Sequence, residues 1–225
     1  MHYRAQTNAL GLKPSGNLAD PSVVHRHEAV AALEEAIARL DSLLGTHEPE
    51  FAASLNPPAS DGELDFLREA IAPFDLIEDL EILYRWHNGQ DPNQTWPLLH
   101  APLLNVIDAA KHTKLMARSC EEAWQWAPTW LAITHESWQQ DAIQLAHPLQ
   151  GLVIDAGSPD APTPRAESVA AVLQATCMLI EDGVPVQPNE SYGPGYGQWQ
   201  DEVRNALTHD GSAKYLGWNF SRWRE

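Results

Sequence analysis

From residue 30 onward, apolar residues recur at spacings of three and four: Val30, Leu33, Ile37, Leu40 and Leu44. That period places them on one face of an α-helix, expected to begin near Glu28 and to stop at Gly45. Pro57-Pro58 then imposes extended backbone, since the proline ring fixes φ and disfavours helix in the residue before it. Ser60 and Glu63 have the spacing of a capping box, and Leu64, Leu67 and Ile71 form the buried stripe of the second helix before Pro73 ends it. Asp75 and Glu78 repeat the cap spacing ahead of a third helix. Its Leu80, Leu83 and Tyr84 share one side, Ile82 and Trp86 broaden the apolar face, and Asn88-Gly89 closes it.

Beyond Gly89 the texture changes to short apolar runs between turn-forming residues. Leu98-Leu99, Val106-Ile107 and residues 130–133, 143–145 and 152–154 read as strands, with a helical insertion over 108–126. Over residues 168–181, Val169, Val172, Leu173 and Thr176 return to helical spacing, and Asp182-Gly183 ends the segment. Helices, then strands, then a helix point to an α+β fold, with helices packed on a mixed, mostly antiparallel sheet. Residues 1–27 hold Gly11, Pro14, Gly16 and Pro21 with little periodic signal and read as an arm. Residues 184–225, rich in Gly, Pro and aromatics (Tyr192, Tyr196, Trp199, Tyr215, Trp218, Phe220, Trp223), read as an extension packing on the domain of residues 28–183.

Charge narrows the function. The net charge is −17. Phosphate binding relies on clustered Lys and Arg, so the balance argues against a nucleic-acid ligand and favours a basic partner. The acidity is also concentrated: residues 28–91 hold fifteen Asp and Glu against Arg39, Arg68 and Arg85, a net of −12, whereas residues 192–225 carry four of each sign. No apolar run is long enough to cross a membrane, and residues 1–30 lack the pattern of a signal peptide, so a cytoplasmic location is expected. Cys120 and Cys177 have no Cys or His close by at metal-ligand or redox spacing, and read as buried, reduced thiols.

Candidate chemistry is sparse. His25, His27 and Glu28 could ligate a metal, but no third ligand lies at a supporting spacing, so no metal or other cofactor is expected. His135-Glu136 with Asp141, or His87 with Asp91, could be assembled into an acid–base pair, which ten histidines make easy by chance. The glycine-rich stretch 193–197 contains Pro194, which removes an amide donor, and has no Lys-Ser/Thr sequel, so it reads as a turn. Trp124, Trp126 and Trp130 are too closely spaced to share one buried face, which predicts at least one of them at a surface or contact.

The order of motifs resembles the SUKH superfamily, the SMI/KNR-type domain. The likeness begins at Pro57-Pro58 and the capped helix from Ser60, and continues through Phe74-Asp75-Leu76-Ile77-Glu78-Asp79-Leu80 to His87-Asn88-Gly89. Trp130-Leu131-Ala132-Ile133, the acidic strand from Asp141, Gly151-Leu152-Val153-Ile154 and the helix over 168–181 follow in the family's order. Ile77 stands where the family usually has proline, and the stretch 105–128 is longer and more helical. The resemblance implies a SUKH-like domain without catalytic machinery that acts through protein contacts. It implies, more narrowly, an immunity protein neutralising a bacterial toxin, such as a nuclease, by occlusion. The family's fungal members imply an alternative, a regulator or scaffold in cell-wall synthesis or signalling, and a His/carboxylate hydrolase ranks last. For a basic toxin domain, the expected contacts are the acidic residues flanking the third helix, Asp75, Glu78, Asp79, Glu81 and Asp91, with Trp86 as an aromatic anchor.

Overall fold

The computed structural model describes residues 23–91, 98, 101–119, 126–134, 140–147, 149–156, 162–184 and 186. Their elements run α1 (Val23–His47), α2 (Pro49–Ser54), α3 (Asp61–Ile71), α4 (Glu78–Trp86), α5 (Val106–Ser119), β1 (Trp130–Ala132), β2 (Asp141–Gln144), β3 (Val153–Asp155), β4 (Thr163–Ala166) and α6 (Val169–Glu181). The fold is α+β, as expected. The sheet is wholly antiparallel among the described strands, in the order β1-β2-β3-β4. Such a meander needs only hairpin connections, which explains the short, turn-bounded runs in the sequence.

Helix α1 starts at Val23, inside the segment expected to be an arm, and continues past Gly45 to His47. Burial of Leu40 and Leu44 in the main core outweighs the cost of a helical glycine, about 1 kcal/mol. Helix α3 has the expected capping box: the Glu63 amide donates to Ser60 Oγ, and the Ser60 amide donates back to Glu63 Oε2. Helix α4 departs from expectation. Its N-cap is Ile77, which makes no side-chain cap, and Asp75 and Glu78 do not form the predicted box. Glu78, Asp79 and Glu81 in its first turn complement the helix dipole instead.

Val106-Ile107 opens α5 and forms no strand. Asn105 explains why: its Oδ1 accepts from the Asp108 amide at 2.9 Å and its Nδ2 donates to Asp108 Oδ2 at 2.8 Å, a local cap that β-branched residues cannot override. Strand β4 contains Pro164, which has no amide to donate to a ladder. It lies at the edge of the sheet, where a missing donor costs little. At the opposite edge, the Ala132 amide donates to Thr113 Oγ1 of α5 at 2.9 Å, so α5 satisfies a group that the last strand leaves unpaired.

Both faces of the sheet are apolar. Leu131, Ile143, Val153 and Ala166 join the main core with α1 to α6. Trp130, Ala132, Ala142 and Ile154 form a second, smaller core with Trp126 and Leu152. The register Leu131↔Ile143 and Ala132↔Ala142 puts like with like. Trp126 and Trp130 are both buried and meet edge to face at 5.7 Å, so these two share one core despite their spacing; Trp124 lies outside the described residues. Cys177 is buried and free, and burial raises its thiol to about 11; Cys120 lies outside the described residues. Among the described residues, no helix is long and apolar enough to cross a membrane.

The end of α6 is a Schellman turn. The Gly183 amide donates to the Ile180 carbonyl, the Val184 amide donates to the Leu179 carbonyl, and Gly183 sits at φ 76°. Val186 then packs in the main core, and its amide donates to Glu48 Oε1 at 3.2 Å. Of the extension expected over residues 184–225, only residues 184 and 186 are described; the rest lies outside the described residues.

Candidate functional site

One junction links the end of α4 to α3 and to the start of α5. Asn88, buried just past α4, donates through Nδ2 to Glu63 Oε1 at 2.9 Å and accepts through Oδ1 from the Val106 amide at 2.9 Å. Its carbonyl accepts from Asn56 Nδ2, and its amide donates to the Pro57 carbonyl. Gly89 has φ 73°, and a Cβ there would lie 2.4 Å from the Asn105 amide nitrogen. The Asn-Gly pair therefore does more than end a helix: it lets two backbones meet and caps the next helix. Glu63 is held below the usual carboxylate range by the Ser60 amide, the Ser60 hydroxyl and Asn88.

Across α3 and α4 runs a chain of ion pairs. Arg68 donates to Asp65 and to Glu81, each at 2.7 Å; Arg85 donates to Glu81 at 3.1 Å and to Asp61 at 2.8 Å. The Arg68 hydrogen bond, foremost, holds the Glu81 carboxyl below its ordinary range. Arg39 pairs with Glu181 of α6 through Nε, at 2.8 Å, and through Nη2. All three arginines of the acidic segment are thus engaged within the molecule. Glu34, Glu50, Glu69, Asp75 and Glu78 are exposed and have no ion-pair partner among the described residues.

The six predicted contact residues do not converge on one pocket. Asp75 and Glu78 are exposed at the start of α4, while Asp79 is half-buried, with Oδ2 4.0 Å from where a Gly151 Cβ would stand. The β2–β3 turn therefore borders that end of the helix. Glu81 accepts from both Arg68 and Arg85, which it shares with Asp65 and Asp61. Trp86 lies about 12 Å further along the helix axis from Glu78; it is half-buried against the main core, and its Nε1 donates to Asp41 Oδ1 at 2.9 Å. Asp91 is half-buried beyond the helix, with its amide donating to the Ser54 carbonyl.

The acid–base candidates are occupied by structural roles. His87 Nδ1 stands 2.5 Å from the Asn56 carbonyl, so this nitrogen carries the proton and donates, and the ring meets Trp86 edge to face at 4.7 Å. Asp141 is fully buried and accepts from Arg165 Nε at 2.5 Å. Its amide donates to Thr134 Oγ1 at 2.7 Å, and that hydroxyl donates to Asp141 Oδ2 at 3.4 Å. Arg165 Nη2 also faces Asp155 Oδ2 at 2.7 Å, an ion pair without hydrogen-bond alignment. A guanidinium thus bridges β2, β3 and β4 at one end of the sheet, a constellation that sequence reading missed because its members lie on three strands. His135, Glu136, the side chains of His25, His27 and Glu28, and residues 193–197 lie outside the described residues. Among the described residues, no group of three or more His, Cys, Asp or Glu could hold a metal. Compared with known proteins, the chain matches no family model and no curated protein.

Proposed function

We propose that the chain is a non-enzymatic protein-binding domain whose acidic helical layer docks a basic partner. The observation that carries this reading is the internal engagement of Arg39, Arg68 and Arg85, which leaves exposed carboxylates on α1 to α4 without a cationic neighbour among the described residues. Such a surface costs self-repulsion in the free protein and gains when a cationic surface covers it, and its field accelerates encounter. With the SUKH resemblance, the specific reading is an immunity protein, cytoplasmic, that occludes a toxin; a nuclease would present the cationic cleft that such a surface fits.

The experiment is an affinity capture from the native host at low and moderate salt, with identification of the proteins retained and measurement of association rates. One tight, basic, toxin-like partner whose on-rate falls steeply with salt is expected. Recovery of housekeeping wall or signalling proteins alone, bound weakly and with little salt dependence, would overturn the immunity reading in favour of a scaffold.

A further inference from the structure

The acidic-layer reading leaves open where a partner's cation would seat. Trp86 is half-buried, and its ring is fixed at two points: Nε1 donates to Asp41 Oδ1 at 2.9 Å, and His87 packs against it edge to face. Asp41 is exposed on α1. Its helical neighbours one turn either way, Ala38 and Gly45, are small and exposed, and a Cβ at Gly45 would meet nothing within 4 Å. Among the described residues, no resident cation takes the place. Arg85, adjacent to Trp86, is held by Asp61 and Glu81, and Arg39, two residues before Asp41, by Glu181. A half-buried indole oriented beside an exposed carboxylate has the chemistry that recognises a guanidinium or ammonium group.

We propose that the seam between α1 and α4 at Asp41 and Trp86 is the subsite for a cationic side chain of the partner, which stacks on the indole and pairs with the carboxylate. This rests on the acidic-layer reading above. It also gives Trp86 a role distinct from that of an apolar anchor, and adds Asp41, which helical periodicity leaves as one solvated carboxylate among many.

An octa-arginine peptide, with an octa-citrulline peptide as its uncharged counterpart, tests the subsite at low salt on 15N-labelled full-length protein. The Trp86 indole N–H resonance, assigned with Trp86→Phe, should move on adding octa-arginine and stay in place with octa-citrulline. Asp41→Asn keeps an oxygen for the indole N–H while removing the charge. It should weaken octa-arginine binding about three- to tenfold, more than Glu69→Gln, an exposed carboxylate on α3. If octa-arginine binds but leaves the Trp86 resonance unmoved, and Asp41→Asn is no worse than Glu69→Gln, the subsite is refuted while the acidic layer stands. Undetectable binding of octa-arginine refutes both.

Discussion

Replacing Arg165 with Met tests whether the ion bridge at the end of the sheet is as structurally important as its burial implies. The Arg165 side chain is 4% exposed, and its guanidinium faces Asp141 at 0% and Asp155 at 23%. Methionine fills much of the volume but removes the guanidinium that faces the fully buried Asp141 carboxylate. Breaking one side of a buried pair costs about 3–5 kcal/mol, because the remaining charge keeps its desolvation penalty. With domain stabilities of about 5–15 kcal/mol, that is about a fifth or more of the total. Urea unfolding followed by far-ultraviolet circular dichroism should show the midpoint falling by about 1.5–2.5 M, for a slope near 2 kcal/mol per molar. Adding Asp141→Asn to Arg165→Met should recover part of the loss, because the buried charge that Arg165 balanced is removed with it. A loss below about 1 kcal/mol, or a double variant no better than the single one, would refute the argument.

Three further outcomes follow from buried groups. Tyr84 is fully buried with a hydroxyl that has no hydrogen-bond partner among the described residues, and its phenol is pushed well above the ordinary range by burial; Tyr84→Phe should leave stability unchanged or raise it by up to about 1 kcal/mol, and a loss in urea unfolding would contradict that reading. Gly89→Ala should destabilise by about 2 kcal/mol or more, since its Cβ would meet backbone atoms at a positive φ, and an unchanged thermal midpoint would contradict the close packing of the α4–α5 junction. Burial, foremost, raises the Glu48 carboxyl above its ordinary range, against the lowering effect of the Val186 amide. A raised folded-state value means that Glu48 contributes stability below the unfolded carboxyl range, lost as pH rises through the folded value. Glu48→Gln, which keeps an acceptor for Val186, should therefore melt slightly higher than wild type at pH 7, with the gap closing near pH 4; a lower midpoint at pH 7 would reverse the sign of the argument.

Much of the architecture was legible from residue order because it depends on local rules. The three- and four-residue spacing from Val30 to Leu44, the Ser60–Glu63 box, and the Asp182-Gly183 stop are short-range signals, and each acts within a turn or two of chain. Where local signals competed, local reading failed. Asp75 and Glu78 look like a cap but do not form one, and Val106-Ile107 looks like a strand but follows Asn105, whose side chain starts a helix. The acidic excess was countable from the sequence, yet which charges remain free was not. That is decided by Arg68 and Arg85 spanning α3 and α4, by Arg39 reaching α6, and by Trp86 meeting Asp41 across 45 residues. The sequence by itself determined the longer helices, three of the four described strands and the sign of the net charge. Only the tertiary structure decided which charges cancel and which side chains meet, because ion pairs and aromatic contacts act over a few ångströms between groups far apart along the chain.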